Sequence, residues 1–387
     1  MATEQEVGEE AFAKIYKLIM RATKPEDVFG IAPGIAPCPD LGIVSEGDIK
    51  KAYTDMMKIV LPYHQAQERQ TKYMAEEATR VLGELYTQAQ KRLTKGIYGK
   101  PEEMSSSLHP SQIIFQMNGL EYHLSSTCCG GDFSTVYFGE RQQAAGVTGA
   151  AGATEGNVEA ICLKIANDAA DNDLLNREAQ VLPKVVHRSL PVLLESFQLE
   201  DGKQANVLKQ IERSYDLYAL RQYYPSGLSQ EHVVWIMERL LSVIGFLHVN
   251  KIIHGAIEPG NILVTPENHN ASLIDFVFAI PYAHLSDARY VGWNDYSAPE
   301  IKKKKSPNPA SDLYSLGKSM EYLLGNAPAD IRITQFIREF LHNEPAKRKD
   351  DAWKAWHELQ ALRTDIFGPK KFIELEVKEI KEITNSK

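Results

Sequence analysis

The chain has 387 residues, enough for two or three domains of ~150 residues each, and with 43% hydrophobic and 24% charged residues it has the balance of a soluble globular protein. A formal net charge of −8 gives no reason to expect a nucleic-acid partner, no apolar run reaches the ~18 residues of a membrane span, and no basic-then-apolar leader opens the chain, so a cytoplasmic protein is expected. The cysteines Cys38, Cys128, Cys129 and Cys162 form no C-x-x-C pair, and adjacent Cys128 and Cys129 read as strand or loop residues rather than a redox pair.

From Glu9 to Arg21 the apolar residues Phe12, Ile15, Tyr16 and Ile19 recur at helical spacing. Packing against a neighbouring domain is the favoured role; a membrane-surface helix is the alternative, weakened by a short apolar face. Pro33, Pro37 and Pro39 break the chain, and Ser45 or Asp48 is placed to cap a helix through IKKAYTDMMKIVL, with a second helix over about Glu68 to Leu93. Asp48-Ile49-Lys50-Lys51-Ala52-Tyr53, Tyr63-His64, Gln90-Lys91-Arg92 and Tyr98-Gly99 resemble the DnaJ-type J domain over roughly Asp27 to Gly99. That resemblance implies an all-helical hairpin and a chaperone ATPase as partner, reached through an H-P-D tripeptide. Here His64 is followed by Gln65 and Ala66, so an accessory hairpin that packs or binds a partner is the plainer reading. The polar, turn-rich segment Lys100 to Ser107 marks a linker.

A new domain begins near Ser111. GLEYHLSSTCCGGDFSTVYFGE predicts two strands about a glycine turn, with Tyr122, Leu124, Val136 and Phe138 as strand formers. Residues 142–157, small and almost uncharged, predict a disordered insertion. Ile161-Cys162-Leu163-Lys164 is an apolar strand ending in Lys, and Glu178 falls on the helix after it. A strand pair turning at Asp201-Gly202 follows, with Asn206 to Ile211 as a connecting segment. Helices are predicted over Leu217 to Tyr224 and Gln230 to Val249, the second rich in core residues. Beyond them stand Ile253 to Val264, Asp275-Phe276-Val277, Gly292 to Glu300, Asp312 to Gly317 and Glu344 to Arg348. Lys302 to Lys305 reads as a solvated basic loop, with anion binding the lesser alternative, and the tail after Phe372 alternates as an edge strand or a charged helix would.

From about Leu120 to Leu362 these motifs, in this order, resemble those of the protein kinase family. The resemblance implies an α+β, bilobal protein kinase-like fold, with ATP and Mg2+ as cofactors. Domains are therefore expected at 1–24 (helix), 25–100 (J-like), 101–110 (linker), 111–370 (kinase-like) and 371–387 (tail). By the same resemblance Gly131, Ser134 and Val136 belong to the glycine-rich loop, with Gly131 alone a motif glycine and Cys129 and Ser134 in place of the other two. Lys164 pairs with Glu178 and meets the phosphates, Asn261 and Asp275 hold the metal, and Glu300 and Arg348 form a buried ion pair.

Four further positions depart from the family. Ala256 stands at the catalytic Asp, Gly255 at its preceding Arg, and Glu258 at the usual Lys. Val277 occupies the last glycine of D-F-G, which stiffens the turn after Asp275. With the base missing, binding of ATP is retained more readily than transfer, and the expected function is a pseudokinase acting as scaffold or regulator. The first alternative is an active serine/threonine kinase using Glu258 as base; the second is a chaperone-linked J-domain protein. Few hydroxyls lie between Asp275 and Glu300 (Tyr282, Ser286, Tyr290, Tyr296 and Ser297), so activation by phosphorylation is not expected. The partner is a protein of unspecified identity; neither nucleic acid nor a membrane span is expected.

Overall fold

The computed structural model describes residues 4–22, 24–30, 45–96, 98, 112–143, 158–287 and 294–377. The proline-rich break, the linker at 100–107, positions 144–157 of the insertion, Gly292-Trp293 and the tail beyond Val377 lie outside them. The described residues divide into two compact units, one within Met1–Ser106 and taking in Val186–Arg188, the other within Ser107–Val185 and Ser189–Lys387.

The first unit is all helical: α1 (Glu4–Arg21), α2 (Glu26–Phe29), α3 (Glu46–Val60) and α4 (Arg69–Thr94). Ser45 opens α3 through a capping box, its Oγ accepting from Asp48 N at 3.2 Å while the Asp48 carboxylate accepts from Ser45 N at 3.0 Å; such a cap is worth about 1 kcal/mol. Phe12, Tyr16 and Ile19 of α1 are buried within this unit, and the Phe12 ring stacks on Tyr63 at 4.3 Å, so the apolar face packs as its spacing predicts. His64, between α3 and α4, lies 2.8 Å from Thr79 Oγ1 of α4.

The second unit begins with an antiparallel sheet of six strands in the order β1-β2-β3-β4-β6-β5: β1 (Gln112–Met117), β2 (Leu120–Gly130), β3 (Ser134–Gln143), β4 (Glu159–Ala166), β5 (Leu193–Gln198) and β6 (Gln204–Lys209). The first strand is additional to those read from the sequence. It is turned back by Asn118 and Gly119 at φ 52° and 79°, the left-handed pair that a tight hairpin demands. Leu120, Tyr122, Leu124, Ile161, Leu163, Ala205 and Val207 form the core of this sheet. Between β4 and β5 runs α5 (Asn172–Val181).

The helical lobe follows: β7 (Tyr215–Asp216), α6 (Leu217–Tyr223), α7 (Gln230–Val249), β8 (Ile252–Ile253), β9 (Ile262–Thr265), β10 (Asn270–Leu273), β11 (Ile280–Pro281), α8 (Pro299–Lys302), α9 (Pro309–Leu324), α10 (Ile331–Arg338) and α11 (Ala352–Phe367). Every residue of α7 from His232 to Leu247 is buried, because α9, α11 and β10 enclose it. This helix alone among the described ones has the length and apolarity of a membrane span, and it serves as the core of its lobe. The β9–β10 hairpin and the β8–β11 pair hold the segments that carry the site. A sheet lobe followed by a helical lobe is the bilobal kinase-like architecture.

Two segments differ from their sequence reading. Asn206 to Lys209 belongs to β6 rather than to a connection, since pairing with β4 and β5 claims it from both sides. The tail from Lys371 to Val377 is neither helix nor strand. Side chains anchor it instead: Leu375 is buried, and the Phe372 ring lies 4.7 Å from His269, itself stacked on Trp235.

Candidate functional site

Lys164 sits on β4 opposite Val136 of β3 and Asn206 of β6, and its Nζ stands 3.1 Å from Glu178 Oε1 and 2.6 Å from Asp275 Oδ1. Burial by itself pushes the Lys164 pKa down, but the two carboxylates outweigh it and hold the ammonium charged. Burial likewise pushes Asp275 up, and Lys164 reverses the effect, leaving Asp275 below the ordinary carboxylate value and ionised. The backbone of Asp275 is left-handed, at φ 66° and ψ 77°. For a residue other than glycine this costs on the order of 1–3 kcal/mol. It is held by the next residue, whose N–H donates to Glu178 Oε1 at 3.0 Å and whose ring meets His254 edge-on at 4.6 Å. Val277 is buried against Ala166, Leu174 and Leu175.

The loop at residues 254–261 is suspended from Asp312, at the start of α9. His254 N donates to Asp312 Oδ2 at 2.9 Å, Gly255 N to Oδ1 at 3.0 Å, and His248 Nε2 to Oδ2 at 2.9 Å. Burial lowers the proton affinity of His254, so its ring is neutral. One tautomer then fits its neighbours: Nε2–H donates to Ile274 O at 3.1 Å and Nδ1 accepts from Ala256 N at 3.3 Å. Gly255 has φ +79°, and a Cβ there would stand 2.8 Å from Phe278 O, so a side chain is excluded sterically as well as by torsion. Asn261 Nδ2 donates to Ala256 O at 3.0 Å, which leaves Oδ1 as the end of the amide that a cation would meet.

Ala256 has no group to accept a proton. The nearest substitute in sequence, Glu258, accepts from Asn294 Nδ2 at 2.5 Å. Burial raises its pKa, and the negative charges of Asp275 and Asp132 raise it further.

The β2–β3 turn is pinned by its own backbone and by Asn167. Gly131 N donates to Ser134 O at 2.9 Å, Asn167 Nδ2 to Gly131 O at 2.7 Å, and Asn167 N to Phe133 O at 3.0 Å. The Phe133 ring meets Phe278 edge-on at 5.5 Å, joining the turn to the segment after Asp275. Gly131 thus lies in the turn, Ser134 opens β3 opposite Ala166, and Val136 shares the strand face of Lys164. Cys162 occupies the same face of β4; burial pushes its thiol up to about 12, so it remains protonated.

Of the sequence-predicted residues, Lys164 contacts both Glu178 and Asp275, and the Asn261 carbonyl accepts from the N–H of Ile274, the residue before Asp275, at 3.0 Å. The donors are carboxylate and amide oxygens, which suit Mg2+ rather than zinc or copper. Among the described residues no group of three His, Cys, Asp or Glu forms a ready metal cage. A magnesium ion at Asp275 and Asn261 would draw further ligands from phosphate oxygens and water, as this ion commonly does. Sequence reasoning missed the roles of Asp312, Asn294 and Asn206. Asp312 was visible within its motif, but which backbone it holds is a tertiary fact.

Residues 145–381 match the protein kinase domain family. The chain is 26% identical over 236 residues to the serine/threonine-protein kinase TIO of Arabidopsis thaliana, covering 60% of this chain and 17% of that protein. It is 33% identical over 168 residues to cyclin-dependent kinase 4 of Mus musculus, covering 41% of this chain and 54% of that protein. A third relative, serine/threonine-protein kinase B of Synechocystis, is 28% identical over 173 residues, covering 41% of this chain and 29% of that protein. The matches thus span from about a sixth to about half of these relatives' lengths. With the matched region taking in the lysine, the catalytic loop and the aspartate just described, the chain belongs to the protein kinase domain family.

Proposed function

We propose that this domain binds ATP with magnesium and acts as a scaffold or regulator, with phosphoryl transfer absent or residual. The observation that carries the reading is the Lys164 ammonium bridging Glu178 and Asp275 beside an alanine at position 256. Lys164 would meet the phosphates, and Asp275 and Asn261 would hold the metal, which supplies charge neutralisation on the phosphate oxygens when bound. Without a carboxylate at 256, a substrate hydroxyl finds no proton acceptor there, a loss typically worth ~10²–10⁴-fold in rate. The Glu258 charge adds repulsion toward the γ-phosphoryl group. The test is binding of a fluorescent ATP analogue to the full chain, with and without magnesium, in the wild type and in Asp275→Ala. Metal-dependent binding lost in the variant supports the reading; absence of any binding sinks it.

A second reading is favoured by the raised proton affinity of Glu258. In it, Glu258 leaves Asn294 and accepts the hydroxyl proton itself, making the domain a weak serine/threonine kinase. Transfer that vanishes in Glu258→Ala supports this reading; transfer that persists refutes it. The helical unit, with its J-like motifs, would serve as a second protein-binding surface. A link to a chaperone predicts stimulation of that chaperone's ATPase by the purified chain, and an unchanged ATPase removes the link.

A further inference from the structure

Glu178 is fully buried and both its oxygens are used. Oε1 accepts from Lys164 Nζ and Phe276 N, and Oε2 accepts from Asn206 Nδ2 at 3.1 Å. Asn206 lies in the middle of β6, directly opposite Lys164, with no exposed surface. Its amide nitrogen also donates to Leu175 O of α5 at 2.9 Å, and its Oδ1 accepts from Ser196 Oγ of β5 at 2.8 Å. Ser196 Oγ is in turn held by Gln204 Nε2 at 2.7 Å. At the start of the helix Asn172 repeats the tie: its Oδ1 accepts from Gln204 N at 2.7 Å and its Nδ2 donates to Gly202 O at 2.8 Å. One edge of α5 is therefore fastened to β6 and its turn by polar groups along its length.

This arrangement is demanding. A buried carboxylate oxygen with no donor carries a larger penalty than a neutral group would, so an apolar side chain at 206 would leave Glu178 Oε2 stranded. The Asn206 amide cannot rotate to avoid the task, because Ser196 fixes its oxygen end and thereby aims its nitrogen end at α5.

We propose that Asn206 is a positioning residue that latches α5 to the sheet and so presents Glu178 to Lys164 and to the Phe276 amide. The latch assembles the Lys164–Glu178–Asp275 contact from within the domain, with no phosphorylation or ligand required. Asn206 acts through Glu178 and is not itself a phosphate or metal contact. The inference adds to the proposed nucleotide function a reason why its site is already formed in the chain alone.

The test is amide hydrogen exchange of the nucleotide-free full chain, comparing wild type with Asn206→Leu, which keeps the branching at Cγ and removes both donors. Exchange across Asn172–Val181 is expected to accelerate roughly tenfold or more, with α7 unchanged as the internal reference. A double-mutant cycle with Glu178→Gln separates positioning from general packing: coupled effects support the latch, and additive effects overturn it. A folded Asn206→Leu chain with wild-type exchange in α5 also overturns it. Should that variant fail to fold, Ser196→Ala removes only the hydroxyl that orients Asn206 and is expected to accelerate α5 exchange by a smaller factor; unchanged exchange overturns the proposal. Because these readouts need no nucleotide, failure to bind ATP would refute the proposed function and leave the latch standing.

Discussion

Asn294 donates its side-chain amide to Glu258, tying the start of the segment before α8 to the catalytic loop. The same Asn294 accepts at Oδ1 from Tyr296 N, Ser297 N and Ser297 Oγ, so the tie belongs to a small closed turn. The Glu258 carboxylate is thereby engaged in holding the loop.

Burial, Asp275 and Asp132 raise the Glu258 pKa above its ordinary 4.5. The sign of the linkage follows: ionised Glu258 weakens the fold, and that weakening sets in as pH rises through the folded pKa. Glu258→Gln is therefore expected to melt above wild type at pH 7.5, by about 1 kcal/mol or less since the group is partly solvated. The gap should close toward pH 4, where both side chains are neutral. Melting curves at several pH values check this, and a gap that widens at low pH contradicts it.

Ala256→Asp restores a carboxylate on a loop already held by Asp312, His254 and Asn261. If the base is the missing element, transfer from ATP to a generic protein substrate should rise by ~10²-fold or more over wild type. Radiolabelled ATP with the purified chain measures it. No gain, in a variant that still binds ATP, would place the defect at Glu258 or in the glycine turn.

Arg348 grips Glu300 with two hydrogen bonds of 2.7 and 2.8 Å, and its guanidinium also donates to Ala310 O and Asn343 O. Burial pushes Glu300 up, but the Arg348 and Ser311 hydrogen bonds overcome it and leave the carboxyl below its ordinary 4.5. Its stabilising contribution is thus present above pH 4.5 and is lost as pH falls through the folded pKa. Arg348→Ala should cost ~3–5 kcal/mol by urea denaturation at neutral pH, because Glu300 is left buried and unpaired. The deficit should shrink in acid.

Val277→Gly replaces a buried side chain by the family's residue. The loss of apolar contact with Leu174 and Leu175 is expected to cost about 2 kcal/mol, and glycine's freedom adds to it. Denaturation measures the cost, and faster exchange at Phe276–Phe278 would show that valine stiffens the turn.

How far the sequence was legible depended on whether a residue's partner was set by spacing or by the fold. Lys164 with Glu178, and Glu300 with Arg348, stand at motif positions, and each pair is in contact. The boundaries of α7 followed from helical periodicity, and the start of α3 from the Ser45–Asp48 capping pattern. Asn118-Gly119 is a strong local hairpin signal, yet strand-forming residues are concentrated after that turn, and β1 before it does not stand out in the sequence. Asn206 reads as connection from sequence, because nothing local distinguishes a buried polar strand residue from an exposed one. Its identity is explained only by a carboxylate on a helix that precedes it in the chain. The tail misled by alternation alone, which buried contacts at Leu375 and Phe372 satisfy without a ladder.

The suspension of residues 254 and 255 from Asp312 separates form from chemistry in this loop. The residue that gives the loop its shape sits on α9 and touches only backbone there, while position 256, where the reaction would be served, contributes no side-chain bond to that shape. A change of side chain at 256 therefore leaves the backbone path of the loop, and the surface that path makes, in the keeping of Asp312 on another element.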